Sequence, residues 1–295
     1  MISHPHDALQ HLPVGRKSRL IGLTSRTGGR LAILPIDQGL EHGPIDFLDV
    51  PEAGDPRHQF QLAVDGGFSA IATHLGLAEA YLPEFVGRIP LVLKLNGKTG
   101  VPPDDEAFSP LTGSVEDALR LNAAAVGYTL YVGSPAQDRD IAQLARVREE
   151  AHRFGLPLIV WAYPRGRDIE AAGGRDSPFA VEYAARVAHE LGADVVKVNA
   201  PRHDPSRAAS YPGEYRRLDL DAEEAMTRVV AVAGRTLVIA SGGSRREPAE
   251  ALEQARLALR AGCAGIIFGR NVWQRPFTEA LELAHSLVAT VTKGT

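Results

Sequence analysis

Short apolar, β-branched runs recur along the chain, each followed by a polar or glycine-rich turn and then a longer stretch with apolar residues at helical spacing. The runs are Leu31 to Gly39, Phe68 to Thr73, Pro90 to Asn96, Ala123 to Gly133, Leu156 to Pro164, Ala193 to Asn199, Thr236 to Gly243 and Ala264 to Asn271. Between and after them the periodicity predicts helices over Pro56 to Gly66, Leu77 to Val86, Ser114 to Leu121, Ala136 to Phe154, Pro178 to Leu191, Leu220 to Ala233, Glu247 to Ala261 and Arg275 to Thr292. Proline at Pro178 and Pro248 suits an early helical position, where no N–H partner is needed, and Gly-Leu-Pro, Leu-Gly-Ala-Asp and Ala-Gly-Cys-Ala-Gly stop helices before the fifth, sixth and eighth runs. Strands apolar on both faces belong to parallel sheets covered by helices, and eight strand–helix pairs close on themselves more readily than they form an open sheet. The pattern therefore predicts an α/β fold, a single (β/α)8 barrel over 31–295, with 1–30 as an N-terminal extension capping the barrel bottom or mediating contacts. An open doubly wound sheet is the alternative.

At 295 residues, 44% hydrophobic and 23% charged, the chain suffices for one large core, and no linker, charge run or low-complexity tract divides it. A formal net charge of −4 with both signs interspersed gives no sign of a nucleic-acid or anionic-membrane partner, while small anionic substrates need only a few local cations. The first thirty residues carry no continuous apolar stretch, so neither a signal peptide nor a membrane anchor is expected, and the single cysteine, Cys263, fits a reducing, cytoplasmic setting as a buried small hydrophobe. Two long connections, Gly97 to Gly113 and Ala200 to Asp219, follow the third and sixth strands and would lie on the C-terminal face, where substrate loops belong.

In a barrel, chemistry sits at the last inward positions of the strands. Strand parity places Lys197 and Asn199 on one face with Val195, Asp37 with Ile33 and Pro35, Trp161 and Tyr163 with Ile159, and Lys94 and Asn96 with Val92. A buried lysine is disfavoured as an ammonium. Lowering its pKa towards ~7–8 costs about 4 kcal/mol and yields a nucleophilic neutral amine. The competing reading of Lys197 is a lysine neutralised by Asp37 or another carboxylate, bracing the barrel. Lys94 is the rival amine, or a cation that depresses its neighbour's pKa, or a phosphate ligand. Asp37 either orients a substrate hydroxyl and moves protons or closes an Asx-turn. Tyr163 is a candidate acid/base tuned by a nearby ammonium and Trp161 a pocket wall, against plain aromatic core filling. Glu41 and His42 read as supporting loop residues. The seventh and eighth strands end in Ala-Ser-Gly-Gly-Ser (240–244) and Ile-Phe-Gly-Arg-Asn (267–271), where Ser241, Gly242, Gly243 and Gly269 open backbone N–H groups to an anion and Arg270 adds a bidentate contact, unless these are ordinary tight turns. His42 and His74 have no partner at metal-ligand spacing, so no metal site is expected.

The set Ile-Asp-Gln-Gly-Leu-Glu-His-Gly-Pro (36–44), Trp-Ala-Tyr-Pro-Arg-Gly (161–166), Gly-Ala-Asp-Val-Val-Lys-Val-Asn (192–199), Ser-Gly-Gly (241–243) and Gly-Arg-Asn (269–271) resembles the archaeal-type class I fructose-bisphosphate aldolases, also found in bacteria. The resemblance runs from about residue 20 to 290. It implies that Lys197 forms a Schiff base, that Tyr163 moves protons, and that Asp37 and Trp161 line the reacting centre. It implies too that Ser241, Gly242, Gly243, Gly269 and Arg270 hold the phosphate of dihydroxyacetone phosphate. The implied reaction is the reversible cleavage of fructose 1,6-bisphosphate to dihydroxyacetone phosphate and glyceraldehyde 3-phosphate, in glycolysis and gluconeogenesis, with no cofactor. A cytoplasmic homo-oligomer, a decamer or similar ring, goes with it. Family relatives act as a thiolase or as a transaldolase-like synthase, so another ketose phosphate, or a non-catalytic sugar-phosphate-binding barrel, stands as the alternative. No motif locates a second phosphate.

Overall fold

The eight apolar runs form eight parallel strands: β1 Leu31–Pro35, β2 Ala70–His74, β3 Leu91–Lys94, β4 Ala125–Val132, β5 Leu158–Pro164, β6 Val195–Val198, β7 Leu237–Ser241 and β8 Gly265–Ile267. In the computed structural model, which describes residues 8–294, each strand pairs with the next and β8 returns to β1 through Leu31↔Gly265. The barrel is closed, and the open-sheet alternative falls away. Residues 1–7 of the expected N-terminal extension lie outside the described residues.

Parity along the strands builds two cores. Ile33, Ala72, Val92, Ile159, Val195, Ile239 and Ile267 point inward and pack into one cluster, while Leu34, Ile71, Leu93, Val160, Val196, Val238 and Ile266 meet the surrounding helices in another. Leu9, Leu20 and Leu23 belong to the inner cluster. The last two lie on helix Val14–Thr24, and together the three close the barrel interior at the end opposite the strand C-termini. A polar clasp secures this helix. Arg16 Nη1 donates to the buried Asp194 Oδ1 at 2.8 Å, while Asp194 Oδ2 accepts from the backbone N–H of Leu158 at 2.9 Å and lies 3.1 Å from His152 Nε2. Arg19 donates to the Gly155 carbonyl at 3.0 Å. A Cβ on Gly15 would stand 3.0 Å from the Gly155 Cα, so the backbones touch there.

The helices follow their predicted bounds closely. Pro56–Asp65, Gln137–Arg153, Pro178–Glu190, Ala222–Val232, Pro248–Arg260 and Phe277–Lys293 each fall within two residues of the expected start and end. Ser114 caps Val115–Arg120 with a reciprocal Asp117 contact, and Asp221 does the same with Glu224 for Ala222–Val232. The expected helix 77–86 instead begins at Leu75 and ends at Tyr81, after which Leu82–Phe85 tightens into a 3₁₀ turn, because Pro83 has no N–H to carry the α-helix on. Among the described residues, no helix is long and apolar enough to cross a membrane.

Candidate active site

The C-terminal ends of the strands surround a cavity of about 570 Å³. Asp37, Lys94, Trp161, Tyr163, Lys197, Ser241, Gly242, Gly243, Gly269 and Arg270 all line it, so the candidate residues from β1, β3, β5, β6, β7 and β8 meet in one place. Asn96 does not join them. Its amide donates to the carbonyls of Thr129 at 2.8 Å and Ser109 at 3.2 Å, and its Oδ1 accepts from the Thr129 N–H at 2.7 Å, which makes it a brace between β4 and the 97–113 connection.

Register sets the two lysines apart. Lys197 lies opposite Trp161 on β5 and Ile239 on β7, whereas Lys94 lies opposite His74 on β2 and Gly127 on β4. Both amines approach the Trp161 ring, Lys94 Nζ 4.7 Å and Lys197 Nζ 5.3 Å from its centroid. Gly127 makes room for the ring: a Cβ there would stand 2.7 Å from Trp161 Cζ3 and 3.0 Å from Lys94 Cδ.

Their partners differ as well. Lys94 Nζ donates to Thr129 Oγ1 at 2.6 Å and lies 3.4 Å from Asp37 Oδ2. Asp37 therefore pairs with Lys94 rather than with Lys197, and it makes no side-chain cap to the helix Gln38–His42 that follows it, so the Asx-turn reading fails. Burial alone would raise the Asp37 carboxyl, but Lys94, Lys197 and His74 together hold it below its ordinary value. Burial and the Lys94 cation push His74 down to about 4, leaving a neutral imidazole. Among the described residues, no carboxylate forms an ion pair with Lys197, which is 5% exposed. Burial, helped by the Arg270 cation and opposed by Asp37 and Glu41, pushes the Lys197 amine down to about 8. Burial lowers the Lys94 amine as well, opposed by Asp37 and assisted by Lys197, so the two lysines disfavour each other's charge, and Arg270 is a further cation acting on Lys197.

Tyr163 stacks beside this amine, its ring centroid 5.4 Å from Lys197 Nζ. Burial, with Asp37 and Glu41 adding to it, raises the Tyr163 phenol far above its usual value, outweighing Arg165 and Arg270, so the resting side chain is a neutral proton donor and not a phenol lowered by the ammonium. Trp161 keeps a buried Nε1–H with no hydrogen-bond partner.

The turns after β7 and β8 both reach the cavity, and the Gly242 N–H donates to the Ile267 carbonyl at 3.4 Å. Gly269 precedes the short helix Arg270–Trp273, and a Cβ at 269 would meet the Pro35 carbonyl at 2.8 Å. Asn271 ties the turns together, donating to the Gly242 carbonyl at 2.8 Å and accepting from the Arg246 N–H at 2.9 Å.

Parity could not find the cations of the loops. Arg165 after β5, Arg202 after β6 and Arg246 after β7 line the cavity with Arg270. Arg165 donates to Asp104 Oδ2 at 3.2 Å, tying the 97–113 connection to the mouth, and the Arg202 N–H donates to the Asp176 carbonyl at 2.7 Å, tying the 200–219 connection to the segment after β5. Arg165 stood in a quoted motif, and Arg202 in the loop Pro-Arg-His-Asp-Pro; a positive residue just beyond a strand end was the available signal. Among the described residues, no group of three or more His, Cys, Asp or Glu side chains could hold a metal ion.

A closed barrel whose strand ends gather a buried amine without a counter-ion, a neutral phenol and a rim of arginines belongs, by architecture and site together, with barrels that work on small anionic carbonyl compounds. The chain belongs to the DeoC/LacD family of aldolases, whose family model matches residues 31–275. It is 40% identical over 267 residues to a class 1 fructose-bisphosphate aldolase of Thermoproteus tenax, covering 90% of this chain and 91% of that protein. It is 32% identical to a fructose-bisphosphate aldolase/6-deoxy-5-ketofructose 1-phosphate synthase of Methanocaldococcus jannaschii, covering 96% of this chain and 89% of that one. Among solved structures, an archaeal fructose-1,6-bisphosphate aldolase with its catalytic lysine covalently bound to the carbinolamine intermediate of the substrate superposes with a TM-score of 0.79 at 38% identity, over 94% of this chain and 99% of that chain.

Proposed function

We propose that this protein is a class I aldolase that reversibly cleaves fructose 1,6-bisphosphate to dihydroxyacetone phosphate and glyceraldehyde 3-phosphate through a Schiff base on Lys197. The observation that carries the reading is a buried amine with no carboxylate partner, depressed to about 8, at the centre of an arginine-rimmed cavity. Relatives named for this reaction, at 40% identity over most of the chain, support it.

The parts act in order. The neutral Lys197 amine attacks the C2 ketone to give a carbinolamine. Tyr163, neutral at rest, gives its proton to the departing hydroxyl, so water leaves and an iminium forms beside the phenolate. The new positive charge stabilises that phenolate, which takes the proton of the C4 hydroxyl. The C3–C4 bond then breaks, glyceraldehyde 3-phosphate departs, and the electron pair enters the iminium as an enamine. Tyr163 returns its proton to C3, and water releases the ketone with the phenol and amine restored. Asp37, held ionised by Lys94, accepts from a substrate hydroxyl. The β7 and β8 turns with Arg270 take one phosphate, and Arg165 and Arg202 on the β5 and β6 side take the other, so that remote binding positions the reacting carbons. In this reading residues 8–30 cap the barrel bottom, and the chain works in the cytoplasm as a homo-oligomer without a metal or other cofactor.

The relative that carries a second synthase name favours one further reading, a transaldol reaction on another ketose phosphate with the same lysine. Turnover assays on fructose 1,6-bisphosphate against 1-phosphorylated deoxyketoses separate the two. Borohydride reduction with dihydroxyacetone phosphate followed by mass spectrometry tests both: a reduced adduct on Lys197, absent from Lys197→Met, is expected. An unmodified Lys197 would leave only a sugar-phosphate-binding barrel, and an adduct on Lys94 would move the amine.

A further inference from the structure

The carry-over from resemblance puts Ser241 among the phosphate ligands, but its hydrogen bonds point another way. Ser241 Oγ lies 2.8 Å from Asn199 Oδ1, and Asn199 Nδ2 lies 3.0 Å from Asp176 Oδ1. An amide oxygen only accepts and an ionised carboxylate only accepts, so the polarity of the chain is fixed from its far end. The Asp176 carboxylate accepts a hydrogen bond from the Asn199 amide N–H, which turns the Asn199 carbonyl toward Ser241 to accept the hydrogen bond of the serine hydroxyl. Asp176 is itself held, since its backbone carbonyl accepts from the Arg202 N–H at 2.7 Å. On the other side, the Ser241 carbonyl accepts from Gln254 Nε2 at 2.8 Å. Asp176, Asn199 and Ser241 all line the cavity. Ser241 stands one inward position beyond Ile239, the register partner of Lys197, and so faces the part of a ligand next to the imine.

We propose that Ser241 reads a hydroxyl of the Lys197-bound ketone, accepting a hydrogen bond from it, and that Asp176 is the positioning residue that sets this polarity through Asn199. The dianion of a phosphate ester offers no proton, and turning the serine hydroxyl toward it would strand the Asn199 carbonyl. The phosphate on the β7 and β8 turns is then held by backbone N–H groups and Arg270, without the serine. The ligand class selected is the hydroxymethyl ketone phosphates over their deoxy counterparts. The inference rests on the aldolase reading for the identity of the imine-bound carbon.

The test uses the full chain and two probes. Inorganic phosphate affinity is measured by calorimetry for wild type, Ser241→Ala, Asp176→Asn and Arg270→Met. Half-saturating concentrations for borohydride capture are measured with dihydroxyacetone phosphate and with the same ketone lacking its hydroxyl. Ser241→Ala is expected to leave phosphate affinity within twofold of wild type and to reduce the preference for the hydroxylated ketone about tenfold, the size of one lost hydrogen bond. Asp176→Asn, whose amide can either donate or accept, releases the Asn199 orientation and is expected to reduce the preference in the same direction with the serine still present. Arg270→Met is expected to weaken phosphate binding at least tenfold. A tenfold loss of phosphate affinity in Ser241→Ala, or an unchanged preference in Ser241→Ala or Asp176→Asn, overturns the proposal. Absence of any adduct in the wild type with either ketone speaks instead against the aldolase reading, and the phosphate titrations stand apart from it.

Discussion

A lysine buried without a directly ion-paired carboxylate destabilises the fold that holds it, and Lys197, whose burial outweighs the nearby Asp37 and Glu41, does so in a calculable direction. In the unfolded chain the amine ionises at about 10.5 and in the folded chain at about 8. The folded state therefore binds fewer protons between those values, and stability rises with pH across that window; at neutral pH the deficit is roughly 3 kcal/mol. Lys197→Met should raise the denaturation free energy at pH 7 by an amount of that order and flatten the rise between pH 8 and 10.5; a melting series over pH checks both. Imine capture by the wild type should increase as pH rises through about 8, and Arg270→Met should move that midpoint upward by removing the cation that assists burial. At the neighbouring position, Tyr163→Phe should lower cleavage by ~10²–10⁴ while still allowing slow trapping of an adduct, because the ring remains but the proton donor is lost. Single-turnover assays with and without borohydride distinguish the two steps. That Lys197, Tyr163 and Asp37 meet at one end of the barrel was legible from strand parity and two flanking motifs, and one cavity brings them together. The Asp37–Lys94 pairing was not, since parity gives a face and not which of two amines a carboxylate will meet.

At the level of elements, the strands were the most legible part of the sequence because parallel strands inside a barrel are apolar on both faces, which a turn-bounded apolar run reports directly. The helix Val14–Thr24 escaped notice for the opposite reason: it reads Val-Gly-Arg-Lys-Ser-Arg-Leu-Ile-Gly-Leu-Thr, and only Leu20, Leu23 and Thr24 of it are buried. Arg165, Arg202 and Arg246 come from loops, where no period constrains a side chain, and only closure of the barrel brings them together. Contacts between elements make two predictions. Gly127→Ala should force the Trp161 ring and the Lys94 stem to shift, since β4 is fixed on both sides by β3 and β5. Over-packing of this kind costs about 1–3 kcal/mol, and turnover should fall at least tenfold with the charges at the site unchanged. Arg16→Met should cost about 2–3 kcal/mol in urea unfolding, less than a fully stranded buried charge, because Asp194 retains the Leu158 N–H. A change within 0.5 kcal/mol would mean that the clasp on the N-terminal helix contributes little.

Taken whole, the molecule separates its duties by end. Leu9, Leu20, Leu23 and the Arg16–Asp194 clasp lie at the bottom, and the amine, phenol and arginines lie at the top, with the close-packed inner cluster of Ile33, Val92, Ile159, Val195 and Ile239 between them. The cost of keeping Lys197 without a partner is carried by that packing, which the site chemistry never touches. The same feature makes the chain a selective target for small electrophiles. With a midpoint near 8, Lys197 holds roughly two hundredfold more neutral amine at pH 7.5 than an ordinary lysine at about 10.5. An acylating reagent small enough to enter the 570 Å³ cavity should therefore label the two cavity lysines, Lys197 and Lys94, ahead of the exposed ones, lose that preference when inorganic phosphate fills the rim, and report intact sites without any turnover assay.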